Sequence, residues 1–130
     1  MKKKISVGIL GATGSVGQKF VAMLADHPWF EVTEIAASER SAGKRYKDAV
    51  NWILTTPLPK RIGELKVKEC TPDLKCNVVF SGLDSSIAGK VETDFAKAGY
   101  IVLSNSKNHR MDKDVPLLVP EINADHLGLI

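Results

Sequence analysis

Apolar runs that alternate with helix-period segments, and a glycine turn that joins the first run to the first such segment, point to an α/β chain with a doubly wound, mostly parallel sheet and helices on both faces. Ile5–Leu10 (ISVGIL) is nearly continuously apolar, as a strand covered on both faces must be. Gly11-Ala12-Thr13-Gly14-Ser15-Val16-Gly17 follows, and a helix is expected from Ser15 to about Asp26, stopping before Pro28. Its apolar stripe is Val16, Phe20 and Leu24, widened by Val21 and Met23. Phe30–Ala37 reads as the second strand, ending in Ser38-Glu39-Arg40-Ser41-Ala42-Gly43-Lys44.

The stretch 46–61 holds Trp52, Pro57 and Pro59 and reads as loop or short helix. Leu65–Cys70 alternates weakly as a short strand, and Asn77–Ser81 is a clearer one. Ser85 or Ser86 can cap a helix that runs to about Ala98, where Gly99 supplies the stop. Tyr100–Leu103 is then another strand, and Val115–Val119, with Pro116 at its start and Pro120 just after it, a last one. Strands that alternate with helices imply right-handed crossovers, with ligands at the strands' carboxyl ends.

At 130 residues the chain fits one domain, able to bury roughly two-thirds of the surface it exposes unfolded. No apolar run approaches the ~18 residues of a membrane span. Met1-Lys2-Lys3-Lys4 imitates the start of a signal peptide, but Ile5–Leu10 is too short for its apolar region, and a cytoplasmic chain is expected. A net charge of +3, with the basic residues scattered apart from the opening lysines, suits phosphate-bearing small molecules rather than nucleic acid. Cys70 and Cys76 match no redox or metal spacing and read as free thiols, and no metal site is expected.

The glycine turn carries the chemistry. A strand, a glycine turn and a helix present unpaired N–H donors together with the positive end of the helix dipole, which is what a pyrophosphate requires. In the GxxGxxG spacing, Gly11 turns the chain off the strand, Gly14 lets phosphates approach the backbone, and Gly17 lets the helix pack close to the sheet. Thr13 and Ser15 add hydroxyls beside these amides. After the second strand, an acidic residue would suit a ribose 2′-hydroxyl, whereas Arg and small hydroxyl residues suit a 2′-phosphate. Ser38, Arg40 and Ser41 favour NADP, with Glu39 turned away. Ser81-Gly82 and Ser104-Asn105-Ser106 close later strands at the same crevice, where small residues admit a flat ring and Asn105 offers an amide. Lys107, His109 and Arg110 form a cationic cluster in which Arg110 suits a carboxylate or phosphate.

With Pro120-Glu121-Ile122-Asn123, these segments in this order resemble the NADP-binding domain of aspartate-semialdehyde dehydrogenase, in its archaeal and fungal branch, from about Lys4 onward. The resemblance implies reduction of L-aspartyl-4-phosphate by NADPH to aspartate 4-semialdehyde and phosphate, in lysine, methionine and threonine biosynthesis. It implies Gly11, Thr13, Gly14, Ser15 and Val16 at the pyrophosphate, and Ser38, Arg40 and Ser41 at the 2′-phosphate. Ser81, Gly82 and Asn105 then fall on the nicotinamide side, and Arg110 on the substrate's phosphoryl group. In that family a cysteine thiolate forms the acyl-enzyme and a histidine acts as acid/base. Both follow the Pro-Glu-Ile-Asn element, so the resemblance places them beyond Ile130 and leaves no catalytic residue within the chain. Residues 1–130 are therefore expected to form a cofactor domain that is inactive alone and part of a homo-oligomeric parent. Related alternatives are N-acetyl-γ-glutamyl-phosphate reductase, which Ser15 disfavours because an aromatic is expected there, malonyl-CoA reductase, and a non-catalytic NADP-binding or sensing module.

Overall fold

The computed structural model describes residues 4–104; the stretch from Asn105 to Ile130 lies outside the described residues. Five strands form one parallel sheet: β1 (Ile5–Leu10), β2 (Phe30–Ala37), β3 (Val67–Glu69), β4 (Val78–Ser81) and β5 (Ile101–Ser104), in the spatial order β3-β2-β1-β4-β5. The chain winds outward from β1 to one side and then, after β3, to the other. The order of strands therefore reverses between β1 and β4, and a crevice opens at their carboxyl ends.

Both faces of the sheet are covered, and the strands' period of two divides their side chains between the covers. Val7, Ile9, Val32 and Ile35 face α1 (Ser15–Leu24) and the segment bearing the short helices α2 (Tyr46–Ala49) and α3 (Lys60–Gly63). Leu10, Ala36 and Val79 face α4 (Ser85–Lys97), where Ala88 and Phe95 close the layer. The predicted Val115–Val119 strand lies outside the described residues.

Two local expectations are corrected, and one connection is irregular. The buried face of α1 is Gly17, Gln18, Val21 and Leu24; Met23 is 75% exposed, and Val16 and Phe20 are only partly buried. A polar residue can hold that core position because its amide is fully bonded, as described below. The cap of α4 is Asp84, whose Oδ1 accepts from the Ser86 N–H at 3.2 Å, rather than either serine. No helix carries the chain from β3 to β4: residues 70–77 cross on the α4 face as an irregular strap. Leu74 anchors this strap in the core, and its carbonyl accepts from the Tyr100 hydroxyl at 2.7 Å.

Close backbone approach fixes where α1 sits. Gly11 has a φ of +74°, which turns the chain off β1, and its N–H and that of Ala12 both donate to the Ala36 carbonyl at the end of β2, at 2.9 and 3.1 Å. A Cβ on Gly17 would overlap the Gly11 carbonyl oxygen and lie 2.7 Å from Ala12 Cα; one on Gly82 would lie 2.9 Å from the Gly17 nitrogen. A Cβ on Gly14 would meet only the Gly11 oxygen, at 3.5 Å, an ordinary contact. Gly17→Ala should therefore lower stability by about 1–3 kcal/mol or more, since backbone must move, whereas Gly14→Ala should stay within about 0.5 kcal/mol. Urea midpoints of the two variants check this contrast.

Candidate nucleotide-binding site

The first turn of α1 stands at the mouth of the crevice. Its first intrahelical bond is from the Gln18 N–H to the Gly14 carbonyl, at 2.9 Å, and Gly14 N–H is spent on the Gly11 carbonyl at 3.1 Å. Among the described residues, the backbone N–H groups of Thr13, Ser15, Val16 and Gly17 make no backbone hydrogen bond. These are the orphan donors that a helix start leaves, coincident with the positive dipole end. Gly14 and Ser15 are exposed, and Gly14 has ordinary extended backbone, so open space faces the amides where a side chain would otherwise stand. Of the turn residues expected to hold phosphate, Thr13, Ser15 and Val16 keep free amides; Gly11 contributes its fold and Gly14 its missing side chain.

The carbonyls of the same turn point the other way and are occupied. Tyr46, fully buried, donates its hydroxyl to the Ala12 carbonyl at 2.6 Å. Gln18, 2% exposed, donates from Nε2 to the Thr13 carbonyl at 3.1 Å and the Asn51 carbonyl at 3.0 Å, and its Oε1 accepts from the Ile53 N–H at 2.9 Å. The amide orientation is fixed by these partners, since reversing it would set donor against donor. Neither residue stood out in the sequence. A polar residue at a core-facing helix position, and a lone tyrosine after a glycine and basic loop, were the available signals. Burial without an ionic partner raises the Tyr46 phenol, keeping it a neutral donor.

After β2, the chain turns through Ser38, whose carbonyl accepts from the Ser41 and Ala42 N–H groups at 2.9 and 3.1 Å. Ser38, Glu39 and Arg40 are exposed and line an open depression of about 580 Å³, and Arg40 makes no ion pair among the described residues. Its guanidinium is thus unspent. A second depression, about 540 Å³, lies between α1 and residues 56–62, away from the crevice.

Across the crevice, Ser81 and Gly82 follow β4, with Gly82 N–H donating to the Leu10 carbonyl at 2.9 Å. The Ser81 side chain points inward: fully buried, its hydroxyl donates to Glu92 Oε2 at 2.6 Å, and the Ser104 hydroxyl donates to the same oxygen at 2.6 Å. Glu92, on α4 and 3% exposed, therefore ties the ends of β4 and β5 together, another contact that the sequence reading missed. Gly82 is small because Gly17 presses on it, a packing reason beyond any ring. Asn105, Lys107, His109 and Arg110 lie outside the described residues, as does the chain onward to Ile130.

Both cysteines are free and partly buried. Cys70 borders the crevice, its thiol 3.7 Å from the Ala37 carbonyl and its sulfur beside the Gly11 amide. Burial pushes this thiol up, with the Gly11 amide opposing. Burial, then the Glu34 carboxylate, pushes Cys76 up to about 11, with Lys68 opposing. A raised value keeps the proton on sulfur at neutral pH, so both thiols should alkylate more slowly than a free thiol at pH 7.5, Cys76 at least about tenfold more slowly and accelerating as pH rises toward 11. Mass-spectrometric alkylation rates across that range check it.

A parallel sheet that reverses between β1 and β4, with free amides at a glycine-started helix in the crevice, defines a Rossmann-like dinucleotide-binding domain. The family model described as "Semialdehyde dehydrogenase, NAD binding domain" matches residues 6–130, and the chain belongs to that family. It is 52% identical over 126 residues to the aspartate-semialdehyde dehydrogenase of Candida albicans, covering 95% of this chain and 34% of that protein. It is 50% identical over 128 residues to the enzyme of the same name from Archaeoglobus fulgidus, covering 98% of this chain and 37% of that one. Thus the chain spans about a third of the length of the curated relatives it matches. A crystal structure of aspartate semialdehyde dehydrogenase with NADP from Candida albicans superposes with a TM-score of 0.93 at 50% identity, over 97% of this chain and 36% of that one. Among the described residues no helix is long and apolar enough to cross a membrane, and no group of His, Cys, Asp and Glu could hold a metal.

Proposed function

We propose that this chain is the NADP(H)-binding domain of a cytoplasmic aspartate-semialdehyde dehydrogenase, serving lysine, methionine and threonine biosynthesis, and that residues 1–130 form one cofactor domain. The observation that carries the reading is the pairing of free amides at Thr13, Ser15 and Val16 with an unspent Arg40 after β2. Relatives of that name at about half identity, one solved with NADP, support it.

In this reading the amides of the α1 start hold the pyrophosphate, with Gly11 and Gly14 shaping the cradle. Ser38, Arg40 and Ser41 receive the 2′-phosphate; a guanidinium there meets a dianion with charge-assisted bonds, and Glu39, at the same depression, must turn aside for it. The backbone at Ser81 and Gly82, with the Asn105 amide, flanks the nicotinamide. Arg110 grips the phosphoryl group of the acyl phosphate or the phosphate released. When bound, the cofactor supplies the hydride; the residues of this chain bind and orient it, and neither protonated cysteine serves as the thiolate that carries the acyl group. A cysteine and a histidine beyond Ile130 take the nucleophile and acid/base roles. A second copy of the whole enzyme completes the proposed homo-oligomer.

NADPH should bind more tightly than NADH, and Arg40→Ala should weaken NADPH by about 1.5–3 kcal/mol while sparing NADH. Fluorescence titration decides, and equal losses for both cofactors would contradict the assignment of Arg40. Gly14→Val should abolish binding of both cofactors with the fold retained by circular dichroism, because its side chain enters the cradle and a Cβ there meets only the Gly11 oxygen, at an ordinary 3.5 Å. Turnover of aspartyl phosphate with NADPH by the full-length protein, damaged by Arg110→Ala without loss of NADPH affinity, checks the activity.

A further inference from the structure

The carbonyl side of the glycine turn has its own architecture. In a planar trans peptide, C=O and N–H point in opposite directions. The Ala12 carbonyl and the Thr13 N–H belong to one such unit, so whatever holds the carbonyl inward turns the amide outward. Tyr46 holds it, with a buried hydroxyl at 2.6 Å. The next unit, Thr13 carbonyl and Gly14 N–H, is tied at both ends, to Gln18 Nε2 at 3.1 Å and to the Gly11 carbonyl at 3.1 Å. Neither tyrosine nor glutamine reaches the crevice: both are buried, and both act from behind the loop.

Their anchoring lies elsewhere in the chain. Tyr46 begins α2, and its ring stacks edge-on against Trp52 at 6.5 Å. Gln18 reaches the 51–53 segment through the Asn51 carbonyl and the Ile53 N–H. The side chain of Ile53 is 59% exposed while Trp52 packs against the core, so the Ile53 end of this segment is tied down by its hydrogen bond to Gln18. Through Gln18, the turn and residues 51–53 share one fully bonded carboxamide, and a displacement of either strains the other.

We propose that Tyr46 and Gln18 are positioning residues of the nucleotide cradle: the Tyr46 hydroxyl aims the Thr13 amide at the pyrophosphate, and the Gln18 carboxamide couples nucleotide binding to the order of residues 51–53. The proposal rests on the dinucleotide-binding reading above. Donors that face the ligand before it arrives cost no reorganisation when it binds, which is how a buried hydroxyl remote from the ligand changes affinity. Since the pyrophosphate is common to both nicotinamide dinucleotides, loss of the aim weakens both alike, in contrast to Arg40.

The test uses the full chain, with NADPH and NADH as probes, at a temperature where circular dichroism shows every variant folded. Tyr46→Phe retains the ring and removes only the hydroxyl. It should raise the dissociation constants of NADPH and NADH by a similar factor, about tenfold, and shrink the downfield shift of the Thr13 amide proton on binding. In the unmodified chain, that Thr13 shift should exceed the shift of the Gly14 amide, which is already bonded within the turn, and NADPH should slow hydrogen exchange at the Ile53 amide at least about fivefold. These last two readouts decide the matter even where Tyr46→Phe fails to fold. Unchanged affinity in a folded Tyr46→Phe, a Gly14 shift larger than that of Thr13, or unaltered Ile53 exchange overturns the proposal. If the unmodified chain binds neither cofactor, the dinucleotide reading itself fails.

Discussion

The structure turns on a contact made almost without side chains. Gly11, Gly17 and Gly82 come from the end of β1, the start of α1 and the end of β4, and a Cβ on any of them would press on the backbone of another. The parallel sheet brings β1 and β4 side by side, at the place where strand order reverses; the three glycines then let α1 start directly above that place. A helix held farther off would leave its first amides over solvent instead of over the crevice. Packing and binding geometry are therefore one constraint here, and the dipole of α1 contributes only because the backbone approach puts its end where the crevice opens.

A turn built of bare backbone has as many carbonyls as amides, and the carbonyls must be satisfied away from an anion. Tyr46 and Gln18 divide that task, and the β2 end takes donors instead. Ala36 takes two N–H groups that would otherwise crowd the start of the turn, while Tyr46 and Gln18 absorb the Ala12 and Thr13 oxygens. Glu92 does the corresponding work on the other side, gathering the hydroxyls of Ser81 and Ser104 under the ends of β4 and β5. Among the described residues, no buried side-chain nitrogen or oxygen is left without a partner. A cleft lined by oriented amides thus rests on a second set of polar side chains that never meet the ligand, each inside the core because its bonds are complete.

What was legible in the sequence follows from the range of the forces involved. Strand β1, strand β2 and the body of α4 are written locally, in apolar runs and in Gly99 as a stop, and the structure places them within a residue or two of the expected ends. The roles of Gly11 and Gly17 were legible for the same reason: a turn and a close helix are local events. Gln18, Tyr46 and Glu92 were not, because each is defined by a partner 5 to 35 positions away, and residue type alone marks glutamine and glutamate as surface-preferring. Met23 erred in the opposite direction, an apolar residue one step off the buried face of α1. The strap over 70–77 escaped because one leucine, not a periodic pattern, seats it.

The same covering that makes the crevice a good cradle makes its cysteines poor nucleophiles. A doubly wound sheet is wrapped on both faces, so a thiol on the strap beside β3 or β4 is taken out of water and loses the stabilisation its thiolate needs. Cys70 illustrates the balance: the Gly11 amide beside it favours the anion, yet burial prevails, and its hydrogen finds the Ala37 carbonyl. One backbone amide is too little against desolvation. At the α1 start, by contrast, four free amides converge beside open solvent, and an anion that arrives already charged has no proton to give up. Phosphate binding and thiolate formation thus call for different settings, and the described half of this crevice is built for the first.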